Sequence, residues 1–363
     1  MRKILLVLQL VLIMSILVSV QPVMVGESQP IYVAFIWHYH QPWYYSPDGT
    51  YFVLPWVRMH SVGNYYKMAY ILSKYPDVKV TFTFSGSLLY QLVDYVTTGR
   101  MDSYQILAYK VANDENLTAE DVYNMIKIPG GFFDINWNRI VNVIPRYTEL
   151  RNAAQSAFQI CSAQPLTQQE FIKCVANQFT AGNYSSQRVI DLAVLFNLFW
   201  IDPQVAREQY PQVYDLMQRA RSSANPMFTR DDLKLVLSVQ KDIMSKITGI
   251  YRDLAGKGQA ELIPVPYSHP LAPLIADFGW SSDLVAHITR SIELFKTYFN
   301  YTPAGVWPAE QAVNDYVLQA FASAGMTWTV TDQSILAATG VDASDINNYG
   351  VPWYADYGGS RIY

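Results

Sequence analysis

Short runs of residues able to handle protons and sugars recur at spaced points along the chain. They are His38-Tyr-His40-Gln41-Pro42-Trp43, Glu261 with Tyr267-Ser-His269-Pro270, Trp307-Pro-Ala-Glu310, and Thr331-Asp332. Carboxylates mixed with aromatics suit glycoside hydrolysis. One carboxylate attacks the anomeric carbon or activates water, and a second, kept protonated, donates to the leaving oxygen. Trp43 and Trp307 offer flat faces to a pyranose ring, while His40, Gln41 and His269 offer hydrogen bonds to its hydroxyls. A second chemistry is open to the same residues. His38 and His40 share one face of a strand, and a strand-end His-x-His can hold zinc, although only His269 is placed to add a ligand. Plainer readings stand beside these: Glu310 as a helix-start carboxylate favoured by the dipole, and Asp332 as an Asx residue opening a turn. Glu261 lies within a strand, where an unpaired buried carboxylate is costly, which favours a functional role.

The segments that must position these groups are short and β-branched or aromatic. Residues 31–37, 78–84, 259–265, 304–307 and 327–331 read as strands. Residues 61–75, 87–98 and 282–299 read as helices, the last with Val285, Ile288, Ile292, Phe295 and Phe299 on one face. Strands alternating with helices predict an α/β fold with a parallel sheet, whose C-terminal strand ends collect the chemistry. The second and third strands are separated by a long, mostly helical stretch. Thr229-Arg-Asp-Asp opens one helix there, with Leu233, Val236, Leu237, Ile243, Ile247 and Leu254 on its apolar face. No linker-like stretch separates this insertion from the rest. Gly358, Gly359 and Ser360 predict a turn, and Arg361, Ile362 and Tyr363 the start of a further strand.

Composition narrows the choice of function. The 363 residues are 51% hydrophobic and 15% charged, which predicts a large core and excludes a disordered or collagen-like chain. A net charge of −4 argues against a nucleic-acid surface, which needs clustered Lys and Arg. The 27 Tyr and 9 Trp exceed the needs of a core and suit sugar faces. Arg2 and Lys3 precede an apolar run over residues 4–20, so residues 1–26 read as a secretory signal peptide ending near Gly26. Export is expected, with an uncleaved signal anchor as the one membrane contact to consider. An exported protein permits a Cys161–Cys174 disulfide, without the spacing dictating it, and the Asn116, Asn183 and Asn300 sequons fit export too.

The motifs His38-Tyr-His-Gln-Pro42, Gly258-Gln-Ala-Glu261 with Pro266-Tyr-Ser-His-Pro270, and Gly305-Val-Trp-Pro-Ala-Glu310 resemble, in this order, those of glycoside hydrolase family 57. The amylopullulanase-like branch is the nearest, and the resemblance runs from about residue 31 to the chain end. It implies a retaining enzyme acting on α-glucans such as starch or pullulan, with no cofactor. The implied fold is an incomplete (β/α)7-type parallel barrel over residues 28–363, with the long helical insertion between strands 2 and 3. Glu310 would be the nucleophile. His40, Gln41, Trp43, Glu261, His269 and Trp307 would line the sugar subsite, with Asp332 in a supporting position and His38 more loosely placed. The family's general acid/base is an Asp in a later Asp-Gly-Glu segment. Asp48-Gly49 lies far upstream of that place, so the acid/base is expected beyond Tyr363. Two other functions compete: an exported glucan-binding pseudoenzyme, and a metal-dependent hydrolase using His38 and His40.

Overall fold

The computed structural model describes residues 33–223, 227–349, 351–357 and 359–363. The signal-peptide reading and the first residues of the predicted 31–37 strand lie outside them. Phe35–Tyr363 forms one compact unit.

The parallel α/β reading holds. β1 (Ile36–Tyr39), β2 (Val80–Ser85) and β3 (Ala260–Val265) form one parallel sheet in that order, and β4 (Gly305–Val306) pairs in parallel with β5 (Trp328–Thr329). Single backbone bonds extend the array. Trp307 N–H donates to the Pro264 carbonyl at 2.9 Å, joining the end of β4 to β3. Tyr363 N–H donates to the Thr327 carbonyl at 2.9 Å and its own carbonyl accepts from Thr329 N–H at 2.6 Å, so the last residue runs alongside β5.

β2 shows how side-chain alternation divides core from site. Its sequence Val-Thr-Phe-Thr-Phe-Ser puts Phe82 and Phe84 on one face and Thr81, Thr83 and Ser85 on the other. The phenylalanines are buried against Tyr39, Tyr251 and, for Phe84, Phe299. The threonines meet polar groups instead: Glu261 for Thr81 and His38 for Thr83.

The insertion between β2 and β3 is helical from Gly86–Thr97 to Arg230–Gly256. Reciprocal caps start three of its helices, at Thr118/Asp121, Thr167/Glu170 and the expected Thr229/Asp232. The expected apolar face of the last of these is buried along its length, from Leu233 to Leu254. A buried polar knot fastens these helices to the helix Trp56–His60 that follows β1. The fully buried guanidinium of Arg58 donates to Asp102 at 2.6 and 3.0 Å, to Asn197 at 2.9 Å and to Gln240 at 2.6 Å, while Tyr95 also donates to Asp102. Cys161 and Cys174 form a disulfide joining helices Pro145–Ser162 and Gln168–Thr180.

Two expectations change. The helix predicted over 61–75 starts earlier, at Trp56–His60, and runs through a π-helical turn at Ser61–Tyr65 before Tyr66–Leu72. The terminal strand is Ser360–Ile362, and it also closes an antiparallel hairpin with Ala355–Tyr357 through the turn containing Gly359.

Candidate active site

His38 and His40 leave the C-terminal end of β1 two residues apart, on the face opposite the buried Tyr39. His269 follows β3 on a turn closed by its own N–H to the Pro266 carbonyl at 2.8 Å. It adopts a left-handed φ of 56°. Trp307 and Glu310 follow β4, and Glu310 and Gln311 both hold left-handed backbone, with φ of 55° and 57°. Asn300 and Ala181 are also left-handed, but each merely ends a helix. Two successive non-glycine residues in this region cost free energy and persist only where the surroundings impose them, a pattern that gathers at working sites.

The groups converge closely. The His38 and His269 Nε2 atoms are 3.2 Å apart, and the His40 ring stacks on His269 at 3.9 Å. Trp307 lies 5.3 Å from the His38 ring. His269 Nδ1 is 4.0 Å from Glu310 Oε1, and the Glu310 side chain is 73% exposed, open to an incoming ligand. Burial, with the neighbouring His269, pulls His38 down to about 4, although solvent still reaches part of that residue and Glu310 opposes the shift. Burial, then His269 and His38, pulls His40 down to about 3. His269 is lowered by burial against the pull of Glu310. The imidazoles are therefore neutral near pH 7, each with one N–H and one lone pair to offer sugar hydroxyls. His40 Nδ1 is buried without a hydrogen-bond partner among the described residues.

The other expected site residues divide. Trp43 is 49% exposed and stacks on Tyr45 at 4.4 Å, with Tyr90 at 5.7 Å and Tyr267 at 6.4 Å, forming a ring shelf. Gln41 is buried: its amide donates to Tyr65 Oη at 3.1 Å and accepts from Tyr44 Oη at 2.8 Å. Glu261 does not lie at the strand-end mouth. It is second in β3, paired with Thr81, one layer of side chains below the His38–Thr83 row, about 6.5 Å away along the strand. There it accepts from Thr81 Oγ1 and Trp328 Nε1, both at 3.2 Å. Asp332 caps the helix Gln333–Ala338, accepting from Ser334 N–H at 2.7 Å; the Ser334 hydroxyl and then this N–H lower its pKa on an exposed surface.

The zinc alternative finds no support in this geometry. The ring nitrogens of His38 and His269 face each other and His40 presents its ring face. Among the described residues no three His, Cys, Asp or Glu side chains are arranged to hold a metal ion.

Two neighbours escaped the motif reading. Thr83 Oγ1 sits 3.0 Å from His38 Nδ1, and Arg290 lies over the Tyr267 ring at 4.2 Å. The alternating threonines of β2 were the available signal for the first; Arg290 carries none in sequence.

A family model described as glycosyl hydrolase family 57 matches residues 34–363. Alpha-amylase 1 of Dictyoglomus thermophilum is 27% identical over 96 residues, which is 26% of this chain and only 13% of that protein. The alpha-amylase AmyC from Thermotoga maritima is similar in structure with a TM-score of 0.45 at 12% identity, over 91% of this chain and 44% of that one. The 4-alpha-glucanotransferase from Thermococcus litoralis gives 0.40 at 13% identity, over 91% of this chain and 26% of that one. The chain thus spans less than half of each of these relatives.

Proposed function

The chain belongs to glycosyl hydrolase family 57, and on that premise we propose that it carries the nucleophile of a retaining α-glucan-active site, with Glu310 attacking the anomeric carbon. One observation carries this reading: Glu310 follows β4 on strained left-handed backbone, its carboxylate solvent-open and beside His269. Substrate would lie over Trp307 and the neutral histidines, with longer chains reaching the Trp43–Tyr45–Tyr90 shelf. Starch- or pullulan-type chains are the substrates we assign, on the amylopullulanase-like motifs. Glu261 and Asp332 are engaged elsewhere, so neither is read as the proton donor. We read that donor as an Asp standing roughly 5 to 5.5 Å from Glu310, the separation of a retaining site.

We read β1 to β5 and the terminal strand as staves of one (β/α)7-type barrel over residues 28–363, interrupted by the helical insertion. The bonds from Trp307 to Pro264 and from Tyr363 to Thr327 support it. We also infer export directed by residues 1–26; the disulfide supports it, since such bonds persist in oxidising compartments. Among the described residues no single helix is long and apolar enough to cross a membrane.

A 2-fluoro α-maltosyl fluoride tests the assignment. The Glu310 carboxylate forms a bond to C1 as the C1–F bond breaks, and fluoride leaves without a proton donor. The expected result is a glycosyl adduct on the peptide holding Glu310. Glucan binding by folded protein without any adduct would favour the second reading, a binding protein built on the exposed ring shelf.

A further inference from the structure

We propose that Thr83 is a positioning residue which, through His38, fixes the proton of His269 on Nδ1, so that an N–H faces Glu310 instead of a lone pair. The proposal rests on Glu310 being the nucleophile for its consequence, but not for its geometry. Thr83 is fully buried, and its Oγ1 accepts the Tyr39 N–H at 3.1 Å. Its hydroxyl proton must also find an acceptor, because a buried O–H left unpaired is costly. Among the described residues the acceptor in reach is His38 Nδ1, at 3.0 Å. His38 Nδ1 therefore carries a lone pair, and the ring's proton sits on Nε2. That atom faces His269 Nε2 at 3.2 Å, where two N–H groups cannot oppose each other. His269 Nε2 accepts, and its proton is left on Nδ1, the atom 4.0 Å from Glu310 Oε1.

The groups packed around this chain do not compete for it. His40 meets His269 face to face, and Trp307 lies beside the His38 ring. Burial holds both relay histidines below their usual pKa, so each carries one ring proton near pH 7, as the relay requires. The opposite tautomers would aim a lone pair at the carboxylate, a repulsive arrangement for a group that must stay ionised and oriented.

The chain has five histidines, so selective 15N labelling of the full protein and two-bond 1H–15N correlation at pH 7 resolves each ring's tautomer. The expected wild-type pattern is Nε2–H for His38 and Nδ1–H for His269. The reverse on either ring overturns the proposal, and this measurement needs no variant. Thr83→Val, whose folding is checked by its melt, is expected to lose the fixed His269 tautomer, and Thr83→Ser to restore it. An unchanged His269 pattern in Thr83→Val overturns the proposal. Adduct formation on Glu310 should slow roughly two- to tenfold in Thr83→Val, the scale of one hydrogen bond, with Ser near wild type. A wild-type rate in Thr83→Val removes the coupling but leaves Glu310 as nucleophile. The expected tautomers without any adduct remove the nucleophile but leave the relay.

Discussion

The molecule holds two polar clusters that follow opposite rules. Around Arg58, every strong group is buried and matched: the guanidinium meets Asp102, Asn197 and Gln240, and Tyr95 completes the Asp102 shell. Around Glu310, backbone is strained, His40 Nδ1 is unmatched and the carboxylate stands in solvent. The first cluster ties helices of the insertion to the helix after β1, since its members come from positions 58, 102, 197 and 240. The second stabilises nothing evident and leaves bonding capacity unused, which is what a site awaiting a ligand requires. Satisfied polar burial marks architecture; unsatisfied polar exposure at strand ends marks chemistry.

Substitutions at the two clusters should separate these roles. Glu310→Gly removes the carboxylate and relaxes a left-handed position. Adduct formation is expected to fall by on the order of 10⁴ or more, while the melting temperature stays level or rises. A stable variant that still forms the adduct would move the nucleophile elsewhere. Asp102→Ala should do the reverse. It leaves Arg58 buried without its counter-charge, at a cost of about 3–5 kcal/mol in denaturant unfolding. Reactivity per folded molecule is expected to be unchanged, measured as adduct yield against the folded fraction.

How much of this was legible in sequence follows from the same contrast. The strands were readable because short apolar runs sit between turn residues, and the His38/His40 pair because two residues return a strand to the same face. The helix at Thr229 announced itself through its capping residues. That Glu261 comes early in β3 was legible from the predicted 259–265 strand, but its bonds to Thr81 and Trp328 were not, because those partners lie on strands far away in sequence. Asp332 carries the signature of a helix cap as clearly as that of a ligand, and the structure shows the cap. Thr83 and the Arg58 cluster were hidden for one reason. Each acts through contacts across long stretches of chain, and alone each looks like an ordinary strand threonine or a helix-surface arginine.

Acid should expose the difference between the clusters more gently. His38 and His40 have folded pKa values of about 4 and about 3, below the ordinary 6.5 of the unfolded chain. Between those values the unfolded state binds more protons, so stability falls as pH drops from about 6.5 towards 3 to 4, and is insensitive to these groups above that window. His40→Gln should flatten the acid side of a stability-versus-pH curve from chemical denaturation; an unchanged slope would show that the ring titrates normally when folded.

The smallest expected effect lies on the ring shelf. Trp43→Ala removes an exposed ring stacked on Tyr45, so it should leave the core and the melting temperature nearly untouched. Affinity for long α-glucans is expected to weaken by roughly 1 kcal/mol, about fivefold, with short maltosyl probes unaffected. Equal loss for short and long ligands, measured by titration calorimetry, would draw Trp43 into the site around Glu310 and merge the ring shelf with it.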